Sequence, residues 1–187
     1  MTKSSKTREK ILETSLRLFN ENGPDNVSTV QIFKEMKISP GNLYYYYKNK
    51  EEIIYELYNQ MILEYKQNWN IEDMEKPEYD SFTSVINNLR IFFKYRFIMN
   101  HMMALINNDP NLRLLIESNN SQRQKELKLY FKFLEESDIM DFKNQNNTID
   151  QLVSVLWFLG DFWLIHLEQK EGKITALSRE NELEYLI

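Results

Sequence analysis

Four consecutive tyrosines, Tyr44 to Tyr47, are the densest chemical feature of the chain. Successive residues on a helix point about 100° apart, so the four cannot all face one core, and some must meet solvent or a partner. Just upstream stand Ser39, Gly41 and Asn42, small enough to let backbone N–H groups approach an anion and polar enough to reach a base edge. Lys48 and Lys50 follow, placed to pair with phosphates. Flat phenol rings, hydroxyl donors, small residues and cations in twelve positions are the equipment for lying against a nucleic acid duplex.

The charge distribution agrees. The 187 residues carry a net charge of −5, yet residues 1–50 hold nine Lys/Arg against five Asp/Glu, an excess of four positive charges, and the rest of the chain is acidic. A basic head on an acidic body fits a phosphate-binding module joined to a non-binding domain; chance clustering would give the same count.

Composition limits the fold. With 42% apolar residues and 13% aromatics the chain can bury a core. Four Gly, four Pro and no alternating Val/Thr-rich runs argue against sandwiches, barrels and βαβ units, leaving an all-α fold. The lack of Cys removes disulfides, thiolate nucleophiles and Cys-ligated zinc. Met1 to Lys10 is polar, without the apolar stretch of a signal peptide. The run Leu152 to Leu167 is too short to span a bilayer and contains Asp161 and His166. A cytoplasmic protein without membrane attachment is expected.

The elements that position the tyrosines can be read from caps. A first helix from about Thr7 to Asn22 places Ile11, Leu12, Ser15, Leu16 and Phe19 on one face and stops at Gly23-Pro24. Ser28 with Gln31 forms a capping box opening a second helix, with Ile32, Phe33 and Met36 inward. Ser39-Pro40 opens a third, because Pro at the first helical position lacks only an N–H that would be unpaired anyway. Asn49 followed by Glu51 and Glu52 caps a long helix from about Lys50 to Trp69. Two short helices joined by a tight turn, with residues 39–46 as the reader, fit a helix-turn-helix.

Pro77 and the polar run 71–79 mark the end of this region. Beyond it, Phe82, Val85, Ile86, Leu89, Phe92 and Phe93 form a stripe that continues through Arg96 to Ile106 with room for a bend. Asp109-Pro110 opens the next helix. Asn144 to Asn147 is a loop, Thr148 with Gln151 a capping box, and the helix to about Lys170, ended by Gly172, is apolar nearly all round. Ala176 to Ile187 reads as a weaker helix. The expected domains are therefore a head at 1–49, a connecting helix at 50–76, and a body for ligand binding and dimerisation at 77–187.

The stretch Ile38-Ser39-Pro40-Gly41-Asn42-Leu43-Tyr44-Tyr45-Tyr46-Tyr47-Lys48-Asn49-Lys50-Glu51-Glu52-Ile53 resembles the signature of the TetR family of bacterial transcriptional regulators. Arg8, Ile11, Leu12, Leu18-Phe19, Gly23, Ser28 and Ile32 are similar to the family's upstream pattern. Phe92-Phe93-Lys94-Tyr95-Arg96-Phe97 and Asn108-Asp109-Pro110 look like the C-terminal domain of one branch. The resemblance implies a three-helix DNA-binding head on a helical bundle body. Base-proximal positions fall on Pro40, Gly41, Asn42, Tyr44 and Tyr45, phosphate contacts on Thr29, Tyr46 and Lys50, and packing positions on Ile32, Leu43 and Tyr47. It implies a homodimeric repressor on palindromic double-stranded DNA, released by a small-molecule effector that the sequence does not identify. The alternative is a helical small-molecule carrier or interaction protein whose head no longer binds DNA.

Departures from the family pattern carry expectations of their own. Lys37 stands where Gly is usual, so either it takes a positive φ or the turn differs. Phe33 and Met36 replace the usual Ala, and Asn42, in place of the common Thr, suits an adenine edge or a phosphate. In the body, Leu152, Leu156, Leu159 and Trp163 form one apolar face suited to a partner helix, with Val155, Phe158, Phe162 and Ile165 on another, and Gly160 permitting close approach. Phe92, Phe93, Met99, Met102, Met103 and Phe158 are candidates for an adaptable pocket, or ordinary core fillers at helical spacing. His101 and His166 offer polar handles.

No catalytic constellation stands out. The chain lacks a Gly-x-Ser-x-Gly elbow, a phosphate-cradling glycine loop and a His-Glu-x-x-His pair, and Asp161 with His166 falls on diverging helix faces. No enzyme, cofactor or metal is expected.

Overall fold

The computed structural model describes residues 3–69, 81–142 and 148–171, and these are all helix or connecting turn. Eight α-helices are described: α1 (Lys3–Asn22), α2 (Thr29–Glu35), α3 (Pro40–Tyr46), α4 (Lys50–Asn68), α5 (Ser81–Lys94), α6 (Arg96–Asn108), α7 (Pro110–Glu136) and α8 (Thr148–Glu171), with a 3-10 turn at Pro24–Asn26. The chain forms two compact units, one made of Met1–Tyr65 with Leu89–Asp109, the other of Lys66–Asn88 with Pro110–Ile187. The expected loop at 144–147, the boundary at 71–79, the stop at Gly172 and the helix at 176–187 lie outside the described residues.

Local signals account for most of the first unit. The Ser28 side chain accepts from the Gln31 backbone and Gln31 reaches back to the Ser28 N–H, a complete capping box. Ser39 accepts from the Asn42 N–H at 3.2 Å and Pro40 takes the first helical position. Between the two helices the chain turns through a Schellman motif: Ile38 N–H donates to the Phe33 carbonyl and Lys37 N–H to that of Lys34. That motif needs a left-handed residue, and Lys37 supplies it at φ 55°, so the expected positive φ is what the turn adopts. The first helix starts at Lys3, four residues before the expected Thr7. Polar Ser4, Ser5 and Lys6 have no apolar periodicity to announce the extension.

Ile11, Leu12, Phe19, Ile32, Leu43, Ile53 and Leu57 close over a common core. It is completed by α6, whose Phe97 ring meets Phe19 at 5.1 Å between centroids. The break between α5 and α6 falls at Tyr95, where no Gly or Pro stands. Instead the Asn20 side chain of α1 occupies it: the amide N–H donates to the Lys94 carbonyl at 2.9 Å, and the Phe97 N–H donates to the amide oxygen at 3.1 Å. From α4, Glu64 accepts from the Tyr95 hydroxyl at 2.7 Å and from the Lys94 ammonium at 2.6 Å. Burial, with the Glu64 carboxylate beside it, pushes the Tyr95 phenol well above its ordinary value and keeps it protonated.

In the second unit α7 packs along α8, and Leu112, Ile116 and Phe131 of α7 and Val153 of α8 are buried. The Arg123 guanidinium lies over the Trp157 ring at 5.1 Å, and Lys128 pairs with Asp150 at 2.6 Å. Like α2, α7 ends in a Schellman-type turn, with Asp138 at φ 54°.

Candidate nucleic-acid interface

The reader helix α3 has only two turns, too few to hold itself, so its surroundings must fix it. Leu43 and Tyr47 anchor it: Leu43 is fully buried, and Tyr47, leaving the helix in extended conformation, is only 4% exposed. Tyr45, two positions beyond the inward Leu43 and so about 200° round the helix from it, turns outward, and Tyr44 is exposed at the edge of the buried face. Tyr45 is 79% exposed, the most exposed large apolar residue described. Pro40, Gly41 and Asn42 are exposed beside it, while Tyr46 is half-buried, its ring edge-on to Tyr45 at 5.0 Å and its hydroxyl donating to the Ser4 Oγ at 3.3 Å.

Gly41 has no internal explanation. Its φ lies outside the left-handed region and a Cβ built there would meet nothing within 4 Å. A glycine in a helix forgoes up to about 1 kcal/mol relative to alanine, so this one is compensated by something other than the packing of the described residues. A partner surface that needs the backbone close is the physical alternative.

Thr29, Tyr44 and Lys50, predicted from separate positions, come together around an open cleft of about 380 Å³ that Lys48 and Asn49 also line. The Tyr44 hydroxyl and Thr29 Oγ1 are hydrogen-bonded at 3.0 Å. Lys50 is half-buried and its ammonium donates to the Pro24 carbonyl at 2.6 Å, which ties the start of α4 to the 3-10 turn. An ammonium has three protons, so this bond leaves donors for a phosphate while fixing where the charge sits. Lys48, in contrast, is largely exposed, with its ammonium 4.0 Å from the Glu52 carboxylate, and the helix start behind it is capped by Asn49 and by Glu52, which accepts from the Lys48 N–H at 2.8 Å.

From the sequence Arg8 counts among the nine basic residues of the head and in the family pattern, with no role of its own. In the structure its Nε donates to the Tyr47 hydroxyl at 3.2 Å, another guanidinium nitrogen meets Glu56 at 2.9 Å, and the charge lies 5.9 Å from the Tyr47 ring centre. Burial raises the Tyr47 phenol above its usual value, with the Arg8 hydrogen bond acting the other way. No local pattern could have paired residues 39 and 48 positions apart.

The body residues are distributed as follows. Phe92 is buried and stacks on Tyr65 at 6.1 Å, Phe93 lies under the Arg96 guanidinium, and Met99 and Met102 are half-buried, whereas Met103 is 68% exposed. His101 packs its ring against Gly23. On α8 the outward arc takes members of both expected faces: Val155, Leu156, Phe158, Leu159 and Phe162 are exposed, with Phe158 at 60%, while Leu152 and Trp163 are half-buried at its edge. A Cβ on Gly160 would meet nothing within 4 Å. The Ile165 side chain lies outside the described residues. Among the described residues no group of three or more His, Asp or Glu could hold a metal, and no helix is long and apolar enough to cross a membrane.

A capped two-turn helix presented by a helix-turn-helix, on an all-helical chain, defines the class of helix-turn-helix proteins. Residues 11–57 match the family described as bacterial regulatory proteins, tetR family, and residues 58–186 match that of bacterial transcriptional repressors. The chain belongs to the TetR family. It is similar to the regulator QacR of Staphylococcus aureus (strain Mu50), 34% identical over 68 residues that make up 36% of each chain. It is also similar to IcaR, a negative transcriptional regulator of a biofilm operon in Staphylococcus epidermidis, 41% identical over 46 residues, 25% of each. These matches thus span about a third or less of the relatives' lengths. Across the whole fold, a TetR-family regulator from Marinobacter aquaeolei aligns with TM-score 0.75 at 23% identity, covering 100% of this chain and 97% of that one. Salmonella enterica GusR aligns with TM-score 0.70 at 19% identity, covering 100% and 95%.

Proposed function

We propose that the protein is a homodimeric DNA-binding transcriptional regulator, a repressor that occludes its promoter until a small-molecule effector releases it. The observation that carries the reading is Gly41: an exposed helix position kept bare, between Pro40 and Asn42 and beside the outward Tyr45, suits close approach to a duplex and is not required by packing among the described residues. In this reading Pro40, Gly41, Asn42, Tyr44 and Tyr45 face the major groove. Thr29, Tyr46 and Lys50 hold phosphates, with Thr29 and Lys50 sharing the cleft beside Tyr44. Asn42 has the amide geometry to read adenine.

The second copy packs on the outward arc of α8. Burying five large side chains that are about half exposed, on each of two copies, releases on the order of 10 kcal/mol. That matches the roughly 4–15 kcal/mol that association costs. A two-fold dimer sets two reader helices on half-sites about one DNA turn, ~34 Å, or a small multiple apart. The effector is an apolar or amphipathic molecule, for which the soft side chains Phe92, Phe93, Met99 and Met102 are suited. Chromosomal DNA as the partner places the protein in the cytoplasm.

Titration with a mixed-sequence duplex over a range of salt tests the reading. Affinity should fall with a log–log slope of several units as counterions return to the phosphates. A folded protein with no salt-dependent affinity for any duplex would favour a carrier with a silent head.

A further inference from the structure

The reader helix is held at both ends by different means. Its first turn is fixed locally, by the Ser39 cap, and its second turn is tied to α2 by the bond between Tyr44 and Thr29. Its last residue, Tyr47, has already left the helix, and the hydroxyl of its buried ring is met by a cation from another helix. That cation, Arg8, simultaneously engages Glu56 on α4, so one guanidinium joins α1, the end of α3 and the second turn of α4. The planar fork of Arg suits two partners at fixed angles, which a lysine at this place would not reproduce.

On charge alone Arg8 would be counted among the basic residues that meet DNA phosphates. Its contacts say otherwise: Nε is given to Tyr47 and a second nitrogen to a carboxylate that already neutralises it. We infer that Arg8 is a positioning residue, which sets the angle of α3 through Tyr47 and Glu56 and is not itself a phosphate contact. This rests on the DNA-binding reading proposed above. The consequence is a residue that governs which bases are recognised while adding nothing to sequence-independent affinity.

The test uses the full-length protein, a duplex enriched by it from a random pool and a scrambled duplex of the same length, with affinities measured across salt concentrations. Arg8→Gln should weaken the selected duplex about tenfold, as expected for losing a charged hydrogen bond that orients the reader, and leave the scrambled duplex and the salt slope unchanged. Because the residue works through Tyr47, Arg8→Gln should cost less than about twofold in a Tyr47→Phe background. Arg8→Lys should fall between wild type and Arg8→Gln. A salt slope flattened by about one, with both duplexes weakened alike, would make Arg8 a phosphate contact and overturn the inference. An equal cost of Arg8→Gln in both backgrounds, or no cost in either, would overturn it as well. If Arg8→Gln fails to fold, the comparison of Arg8→Lys in the two backgrounds decides in the same way. A wild-type protein that enriches no duplex would sink the DNA-binding reading itself, and the inference with it.

Discussion

Two residues of the helix-turn-helix carry a local cost that the fold alone does not require, and they differ in kind. Lys37 occupies the left-handed position of the turn at φ 55°, where a Cβ is unfavourable. Lys37→Gly should raise unfolding free energy by about 1 kcal/mol, read by denaturant titration, and leave duplex affinity unchanged, since the turn keeps its Schellman bonds. Gly41 is the converse case, a glycine where a Cβ has room. Gly41→Ala should stabilise the protein by a few tenths to about 1 kcal/mol while weakening the selected duplex by about tenfold or more. Gains in both quantities would show that the bare position has no role in recognition. Lys37 was legible as an anomaly because the family pattern supplies a reference residue; the open space around Gly41 depends on how neighbouring helices fold and leaves no mark on the local sequence.

At the scale of elements, what could be read from the sequence is what is decided within a few residues. The Ser28–Gln31 box and the Ser39-Pro40 start follow from spacing and cap chemistry, and the inward turn of Tyr47 from the resemblance to the TetR pattern. The break at Tyr95 follows only in part: the sequence left room for a bend, but no Gly or Pro between Phe92 and Ile98 places it, and Asn20, whose partners lie 74 and 77 positions away, occupies it. For the same reason the bonds of Arg8 to Tyr47 and of Lys50 to Pro24 were not legible. If Asn20 holds the break, Asn20→Ala leaves a carbonyl and an N–H without their amide and should cost about 1–3 kcal/mol. Hydrogen exchange at the Phe97 amide should speed up ahead of the rest of α6; unchanged exchange there would mean that the break is intrinsic to α5 and α6.

For the whole molecule, the outward arc of α8 decides whether the proposed dimer exists. The sequence showed a helix apolar nearly all round, but not where its covered side would end, because that depends on how α7 is seated. The structure leaves Val155, Leu156, Phe158, Leu159 and Phe162 exposed together, an arrangement that a lone chain would keep at a cost in solubility. Phe158→Glu should convert the protein to a monomer by sedimentation, since a charge placed in that contact has no partner, with the thermal melt of the head little changed. The monomer should lose most of its affinity for a palindromic duplex, because the second reader no longer binds at the effective concentration that the dimer provides.

The measurement that bears most directly on the central claim is selection of duplexes from a random DNA pool by the purified protein at moderate salt. A dimeric regulator should enrich a palindromic motif whose half-sites are centred about one helical turn, ~34 Å, or a small multiple apart, and whose information is lost selectively when Asn42 or Tyr45 is replaced by Ala. No enrichment from a protein shown to be folded and dimeric would contradict the central claim.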